Sequence, residues 1–273
     1  VVLIGFNMPN QKKEGKVTID VSGIVMLVVS LCGILYALNF GSSIGWGQPS
    51  IIIGFVIGII ALVVFINIEK KAKEPLIPLK LFKNSQYTVL LIVGFICYFY
   101  QLAMNVYAPI GAMKVMGVST SVAGALQMPR TIITIFLPTI AGVWVGKKSS
   151  NAWKAMVIGT LFAGLPMLAM GFTTTTTSII VYFVALTITG IAESYRCVSI
   201  TPSAQAMLSQ EDMGVGTSLV NFVNSLANTI APAVFGVAYN LNTATDPTNV
   251  TFIQNGVNAV FLLAGVVSII GLV

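Results

Sequence analysis

The sequence predicts an all-α integral membrane protein with about eight transmembrane helices. Of its 273 residues, 56% are apolar and only 8% are charged, whereas an ordinary soluble domain carries about 25% charged residues. The chain also contains apolar runs of about 20 residues, the length that crosses a bilayer core of about 30 Å. This composition excludes a soluble enzyme, a disordered chain and a secreted domain held together by disulfides.

Apolar runs separated by charged or turn-forming segments give eight predicted helices, labelled α1 to α8 in chain order. No charge interrupts the stretch between Asp20 and Glu69, which is too long for one helix, and turn formers at 41–49 divide it. The predicted helices cover 19–40, 50–68, 86–109, 121–146, 152–172, 178–208, 213–240 and 256–273. Residues 1–18 are expected to hold the end of a preceding span and a cytoplasmic loop, so we expect the chain to be a piece of a larger membrane protein.

Lysines between the predicted helices indicate the orientation of the chain. Eleven of the fourteen basic residues lie before α1, between α2 and α3, or between α4 and α5, whereas the opposite side carries only Lys114. Because Lys and Arg are enriched in cytoplasmic loops, we place those three segments in the cytoplasm and the segments 173–177 and 240–255 outside. The position of the lysines between apolar runs also argues against nucleic-acid binding, despite a net charge of +6.

The residue types that most enzymes and metal centres need are scarce. His is absent, and Cys32, Cys97 and Cys197 lie far apart in apolar stretches. Structural zinc and haem usually require His or closely spaced Cys, so we expect no metal, no cofactor and no enzymatic activity. An intramembrane lipid-modifying enzyme is the least favoured alternative, because Glu193 is the only carboxylate deep within a predicted helix.

Polar side chains recur at helical spacing on four of the last six predicted helices. Because polar groups are costly in hydrocarbon, such faces indicate either a polar cavity or hydrogen bonds that hold a helix bundle together. The candidate cavity-lining residues are Tyr98, Gln101 and Asn105 on α3, Gln127 and Thr134 on α4, and Ser218, Asn221, Asn224 and Asn228 on α7. A further polar face on α6, with none on α5 or α8, favours the cavity.

Three charged residues lie deep inside the predicted helices, away from their ends. Arg130 lies about ten residues, or roughly 15 Å, into α4, where an arginine costs about 2.5–3.5 kcal/mol to insert. We therefore expect it to face the cavity with Gln127 and Thr134; a structural arginine bonded to helix carbonyls is the alternative. Glu193 and Arg196 lie three residues apart on one face of α6, close enough to pair. Either they form a permanent structural salt bridge, or Glu193 takes up and releases a proton with an affinity that Arg196 sets.

Prolines and glycines predict local breaks and close helix contacts. Membrane helices tolerate proline breaks, and transporters use them. Such breaks are expected at Pro129, Pro138, Pro166, Pro202 and Pro232. The small-xxx-small pairs Gly54/Gly58 and Gly142/Gly146 would allow neighbouring helices to approach closely.

Four segments of the chain resemble the major facilitator superfamily, and more narrowly its branch of fourteen-span drug:proton antiporters. They are KVTIDVSG at 16–23, EPLIPLKLFKN at 74–84, AGALQMP at 123–129 and TPSAQAMLSQEDMG at 201–214. The segment 74–84 is the most specific, and the resemblance extends over nearly the whole chain. The chain departs from the family's loop signature Gly-x-x-x-Asp-Arg/Lys-x-Gly, because Gly146 takes the acidic position.

This resemblance implies a fold of two six-helix halves around a central cavity. In such a fold 19–68 forms two extra central helices, 69–85 is a cytoplasmic linker, and 86–273 is the C-terminal six-helix half. The first, second, fourth and fifth helices of a half line the family's cavity. These correspond to α3, α4, α6 and α7, the helices that carry the polar faces.

The resemblance also implies a function. It predicts a secondary active transporter of the plasma membrane that exports small organic or drug-like compounds, coupled to protons, by alternating access. The expected partners are the substrate, protons, the lipid bilayer and an N-terminal six-helix half missing from this chain. A non-transporting membrane scaffold or receptor subunit is the main alternative, but it would need no polar cavity.

Overall fold

The computed structural model describes residues 20–72, 77 and 79–271, and this part holds eight helices long and apolar enough to cross a membrane. They are α1 Val21–Ile44, α2 Pro49–Glu69, α3 Ser85–Lys114, α4 Thr120–Lys147, α5 Ser149–Met170, α6 Ile179–Ala206, α7 Met213–Thr243 and α8 Val250–Ile270. The predicted all-helical membrane fold is confirmed. The span and loop predicted at 1–18, and part of the predicted linker, lie outside the described residues.

Short polar side chains define where many of these helices begin. A side-chain oxygen just before a helix can accept a hydrogen bond from a free backbone N–H of the first turn. Such caps come from Asp20 before α1, Asn84 before α3, Ser119 before α4, Ser178 before α6 and Asn249 before α8. Each of these residues precedes an apolar run, which is why the predicted helix starts are mostly correct to within a few residues.

The predicted start of α8 is wrong by six residues. The sequence placed the start at 256 because 240–255 is rich in polar residues, whereas the helix begins at Val250. Two of its polar side chains find partners on the turn after α5. Gln254 Nε2 donates to Thr173 Oγ1 over 3.0 Å, and Asn258 Nδ2 donates to the Thr173 carbonyl over 2.7 Å. These contacts allow polar residues to lie within the bundle.

The first two helices form a tight hairpin through glycines. A Cβ added to Gly33 would lie 2.5 Å from the Gly54 carbonyl oxygen, and one added to Gly58 would lie 2.7 Å from the Ile34 amide nitrogen. Such small residues let helix backbones approach closely, which confirms the close contact expected at Gly54 and Gly58. The same expectation for Gly142/Gly146 is wrong, since a Cβ on Gly146 would meet nothing within 4 Å.

The helices α3 to α8 form one bundle, and α1 joins it beside α7. In this bundle α6 packs between α4 and α5, α8 packs against α5 and α7, and α3 packs against α7. Large side chains fill the centre, including the fully buried Met167, Tyr182, Phe235 and Phe261. By contrast, most of the long apolar side chains of α2 are exposed, which is typical of a surface that lipid covers.

One end of the bundle holds the residues that precede α3 together with the turn between α6 and α7. Lys80 Nζ lies 2.8 Å from Asp212 Oδ1, and the Tyr87 hydroxyl donates to the Gly216 carbonyl over 2.7 Å. A hydrogen bond from Lys80 lowers the pKa of the Asp212 carboxyl below its ordinary value. The residues before α3 and the turn between α6 and α7 therefore lie on the same side of the membrane. The lysine pattern predicts that this side is the cytoplasm.

This orientation predicts the outcome of cysteine labelling in the full-length protein. Lys148→Cys and Asp246→Cys are introduced separately into a background in which Cys32, Cys97 and Cys197 are replaced by Ser. We expect an impermeant maleimide added to intact cells to label position 246 and to reach position 148 only after permeabilisation. The reverse pattern would contradict the predicted orientation.

Candidate functional site

Six polar side chains from α3, α4 and α6 meet inside the bundle, and together we call them the charge cluster. They are Gln101 and Asn105 on α3, Gln127 and Arg130 on α4, and Glu193 and Arg196 on α6. All six were among the candidate residues that the sequence indicated. The structure brings them into one hydrogen-bonded network within the membrane-spanning part of three helices.

The centre of the charge cluster is an ion pair between α4 and α6. Arg130 donates to Glu193 Oε2 from Nη2 over 2.8 Å and from Nε over 3.1 Å. The Arg130 side chain is only 10% exposed and that of Glu193 24% exposed. A charge-assisted contact of this kind is stronger than a neutral hydrogen bond, and here it ties two helices together.

Glu193 therefore has a different main partner from the one the sequence indicated. The i, i+3 spacing favoured Arg196, whose Nη2 lies 3.7 Å from Glu193 Oε1, within ion-pair range but beyond a hydrogen bond. Side chains on one helix leave it side by side, whereas Arg130 approaches the carboxylate from the facing helix. The pairing between helices could not be read from spacing along the chain.

Arg196 is held mainly by α3. It donates from Nη1 to the Cys97 carbonyl over 2.8 Å and from Nη2 to Gln101 Oε1 over 3.0 Å. Its guanidinium carbon also lies 4.7 Å from the centre of the Tyr98 ring, a cation–π distance. Gln101 Nε2 in turn donates to Glu193 Oε1 over 2.6 Å. Gln101 thus bridges the second arginine to the carboxylate.

A local irregularity of α3 lies beside Arg130. Residues Ala103–Tyr107 form a π-helical turn just before Pro109, whose nitrogen cannot donate a helix hydrogen bond. Asn105 in this turn accepts from Arg130 Nη1 over 2.6 Å, and the Met104 carbonyl accepts from Gln127 Nε2 over 2.9 Å. Turns of this type are frequent at functional sites. Pro109 was the sequence signal for this turn, and sequence reasoning missed it.

Glycines set the distance between the helices that carry the cluster. A Cβ on Gly190 would lie 2.9 Å from the Arg130 carbonyl oxygen, and one on Gly159 would lie 3.1 Å from the Ala192 carbonyl oxygen. The backbones of α4 and α5 therefore approach α6 within one turn of Glu193. This close approach lets the side chain of Arg130 fold back onto the carboxylate.

A cavity of about 230 Å³ adjoins the charge cluster. Its lining includes Tyr98, Gln101, Thr134, Glu193 and Arg196. Thr134 also lies on this wall, where its hydroxyl donates to the Thr131 carbonyl over 2.8 Å, whereas Arg130 is not among the lining residues. Both the carboxylate and one guanidinium face a space that could admit water or part of a small molecule.

The four candidate residues of α7 lie apart from the charge cluster in the described part of the chain. Asn224 is buried against α3, where a Cβ on Gly94 would lie 3.2 Å from its Oδ1. Ser218 borders a groove between α1 and α7, and Asn221 and Asn228 are exposed. Their role in lining a cavity stays a prediction.

The expected proline breaks occur at one position only. A turn at 126–127 interrupts α4 immediately before Met128 and Pro129. The other four prolines lie inside helices that continue through them, namely Pro138, Pro166, Pro202 and Pro232. Neighbouring helices can compensate for the hydrogen bond that such a proline removes.

Comparison with known proteins gives a family and several relatives. Residues 15–232 match the model of the Major Facilitator Superfamily. The chain is 28% identical over 246 residues to the multidrug transporter protein MdtP of Bacillus subtilis, covering 88% of this chain and 44% of that protein. It is 26% identical over 222 residues to multidrug resistance protein 3 of Bacillus subtilis, covering 81% of this chain and 43% of that protein. It is also 26% identical over 225 residues to quinolone resistance protein NorB of Staphylococcus aureus, covering 81% of this chain and 47% of that protein. The chain spans about half the length of these relatives.

Proposed function

We propose a function from one premise: the chain belongs to the major facilitator superfamily and is therefore part of a multi-pass membrane transporter rather than an enzyme. We infer that it forms the two extra central helices and the C-terminal half of a fourteen-span carrier in the plasma membrane. This carrier exports drug-like organic compounds in exchange for protons by alternating access. The hairpin of α1 and α2 supports this division, because it meets the remaining bundle chiefly where α1 packs on α7.

One observation carries the proposal: a single carboxylate lies between two arginines inside the membrane and faces a cavity. Glu193 contacts Arg130 at 2.8 Å and Arg196 at 3.7 Å. Ionisable residues at this depth are costly and usually mark substrate or proton pathways. A non-transporting scaffold would gain nothing from such a cluster that ordinary apolar packing could not supply.

Protonation of Glu193 would change the packing between helices. The ionised carboxylate holds α4 through Arg130 and α3 through Gln101. A proton on Oε2 would remove the negative charge that attracts Arg130, while Arg130 would keep its contact with Asn105. The contact between α4 and α6 would weaken and the contact between α4 and α3 would remain. A proton could thus shift the balance between two arrangements of the half, as exchange by alternating access requires.

The names of the relatives support the proposed cargo. They are a multidrug transporter, a multidrug resistance protein and a quinolone resistance protein. The cavity wall combines an aromatic ring, hydroxyls and charged groups around the apolar Pro138. Such mixed walls suit small organic molecules that differ in shape.

The proposal is tested with the full-length protein in inside-out vesicles, using ethidium as the probe. An imposed gradient with an acidic interior is expected to drive ethidium into the vesicles, and nigericin, which collapses the gradient, is expected to stop it. Ethidium uptake at the same rate with and without nigericin would overturn proton coupling. If ethidium does not move, the same assay with a panel of dyes and antibiotics decides between another cargo and no transport.

A truncated protein provides a second prediction. Residues 1–273 expressed alone are expected to transport no more than vesicles from empty cells, because the proposed cavity lies between two halves. Membrane insertion is checked by immunoblotting of the same vesicles. Transport by the inserted piece would mean that copies of it assemble into a carrier, and it would overturn the proposed need for the N-terminal half.

A further inference from the structure

A second cavity, of about 410 Å³, lies near the end of the bundle that holds the Lys80–Asp212 pair, and we call it the lateral groove. Its long walls are apolar and come from α3, α5 and the end of α6. They include Val89, Leu90, Val93, Met156, Val157 and Met207. The groove is separate from the charge cluster and has no part in the proposed exchange of protons.

One end of the lateral groove is polar and favours negative charge. Ser85 at the start of α3 and Ser149 at the start of α5 both line it. No side chain caps α5, so the first turn of α5 offers backbone N–H groups to an anion. Two exposed lysines, Lys148 and Lys154, lie next in sequence to the lining residues Ser149 and Trp153. The backbone positions of these two lysines place positive charge close to the polar end of the groove, which we call the rim.

Trp153 indicates the depth of this rim in the membrane. Its side chain lines the lateral groove and is 62% exposed. Tryptophans are enriched at the level of lipid headgroups, where their rings contact both apolar and polar groups. We therefore place the rim at the level of the headgroup phosphates of one leaflet.

We propose that the lateral groove binds an anionic phospholipid of the surrounding bilayer. One acyl chain lies along the apolar walls, and the phosphate meets the start of α5 between Lys148 and Lys154. The charge of the rim selects this occupant, because a basic site between helices at the membrane surface attracts anionic headgroups. A zwitterionic lipid offers the same acyl chain with no net charge, and it would lack this attraction.

The test uses the full-length protein with Trp153 as its only tryptophan. Trp46, Trp144 and every tryptophan elsewhere in the protein are replaced by Phe, and the protein is reconstituted in phosphatidylcholine vesicles. The vesicles contain the same small fraction of either dibromo-phosphatidylglycerol or dibromo-phosphatidylcholine, whose bromines quench nearby tryptophans. We expect phosphatidylglycerol to reach half-maximal quenching at a fraction lower by at least about fivefold, the effect of one lysine at a membrane surface.

Two variants show whether the rim and the groove cause the preference. Lys148→Gln with Lys154→Gln is expected to bring the two lipids to equal quenching, whereas Lys114→Gln at the opposite end of α3 should leave the preference intact. Val157→Phe, which fills the groove, should reduce quenching by phosphatidylglycerol without changing the emission wavelength. Equal quenching by both lipids in the parent protein, or a preference that survives loss of both lysines, would overturn the proposal. Absence of quenching would also overturn it, since another segment or a substrate would then fill the groove.

Discussion

Glu193→Gln is expected to abolish proton-driven transport by the full-length carrier while leaving substrate exchange without a proton gradient. Glutamine keeps the shape of the side chain and can still accept a hydrogen bond from Arg130, but it cannot ionise. The α4–α6 contact would then no longer depend on a proton. We expect gradient-driven uptake to fall to the level of empty vesicles, and counterflow of preloaded substrate to continue. The measurement compares both rates in the same proteoliposomes.

A matched control for this variant is Glu211→Gln, which changes a carboxylate in the exposed turn between α6 and α7. It should transport as the parent protein does. If Glu193→Gln kept the rate and pH dependence of the parent, Glu193 would not be the coupling acid. A variant that fails to fold would instead favour the structural salt bridge, because two buried arginines would be left without their carboxylate.

Arg130→Ala is expected to have the largest effect on stability. Removing this partner leaves Glu193 with Arg196 at 3.7 Å as its remaining charged neighbour. The loss of one partner from a buried ion pair costs about 3–5 kcal/mol, so thermal unfolding in detergent should shift to markedly lower temperature. Arg130→Lys keeps the charge but cannot donate to Glu193 and Asn105 in the same fork. The Arg130→Lys variant should still fold, but it should transport substrate more slowly than the parent protein.

A paired substitution tests whether an unpaired charge causes the loss of stability in Arg130→Ala. Arg130→Gln together with Glu193→Gln removes one positive and one negative charge, so neither partner is left unpaired. We expect the double variant to recover much of the stability that Arg130→Ala loses, while it remains unable to couple transport to protons. If Arg130→Lys and Arg130→Ala both transport normally, Arg130 has no functional role. If the double variant is as unstable as Arg130→Ala, the unpaired charge of Glu193 is not the cause of the loss.

The sequence predicted the helices because each one follows from local rules. Apolar length predicted eight spans, and in the structure capping side chains such as Asn84 and Ser178 precede those apolar runs. The start of α8 was misplaced because polar residues such as Gln254 and Asn258 are typical of loops. In the structure both side chains donate hydrogen bonds to Thr173, which allows them to lie in a buried helix. That contact joins residues more than 80 positions apart in the chain, and no local pattern contains it.

The sequence predicted which residues form the candidate site, but not which of them contact each other. Spacing along one helix found Glu193, Arg196 and Gln101 because each lies on a polar face. Spacing could not show that Arg130 would be the nearer partner of Glu193, since that depends on the close approach of α4 to α6 at Gly190. The same reasoning grouped all four α7 residues, whereas Asn224 turns towards α3 and the others do not.

If the one carboxylate of the charge cluster, Glu193, carries one proton in each cycle, the charge of the cargo decides whether the proposed carrier responds to voltage. Moving one elementary charge across a membrane at a potential of 100 mV is worth about 2.3 kcal/mol. A cycle that brings one proton in on Glu193 and takes an uncharged molecule out moves one net charge, so an interior-negative potential would drive export even at equal pH. A cargo that carries one positive charge would leave the cycle electrically neutral, and its export would respond to the pH gradient alone.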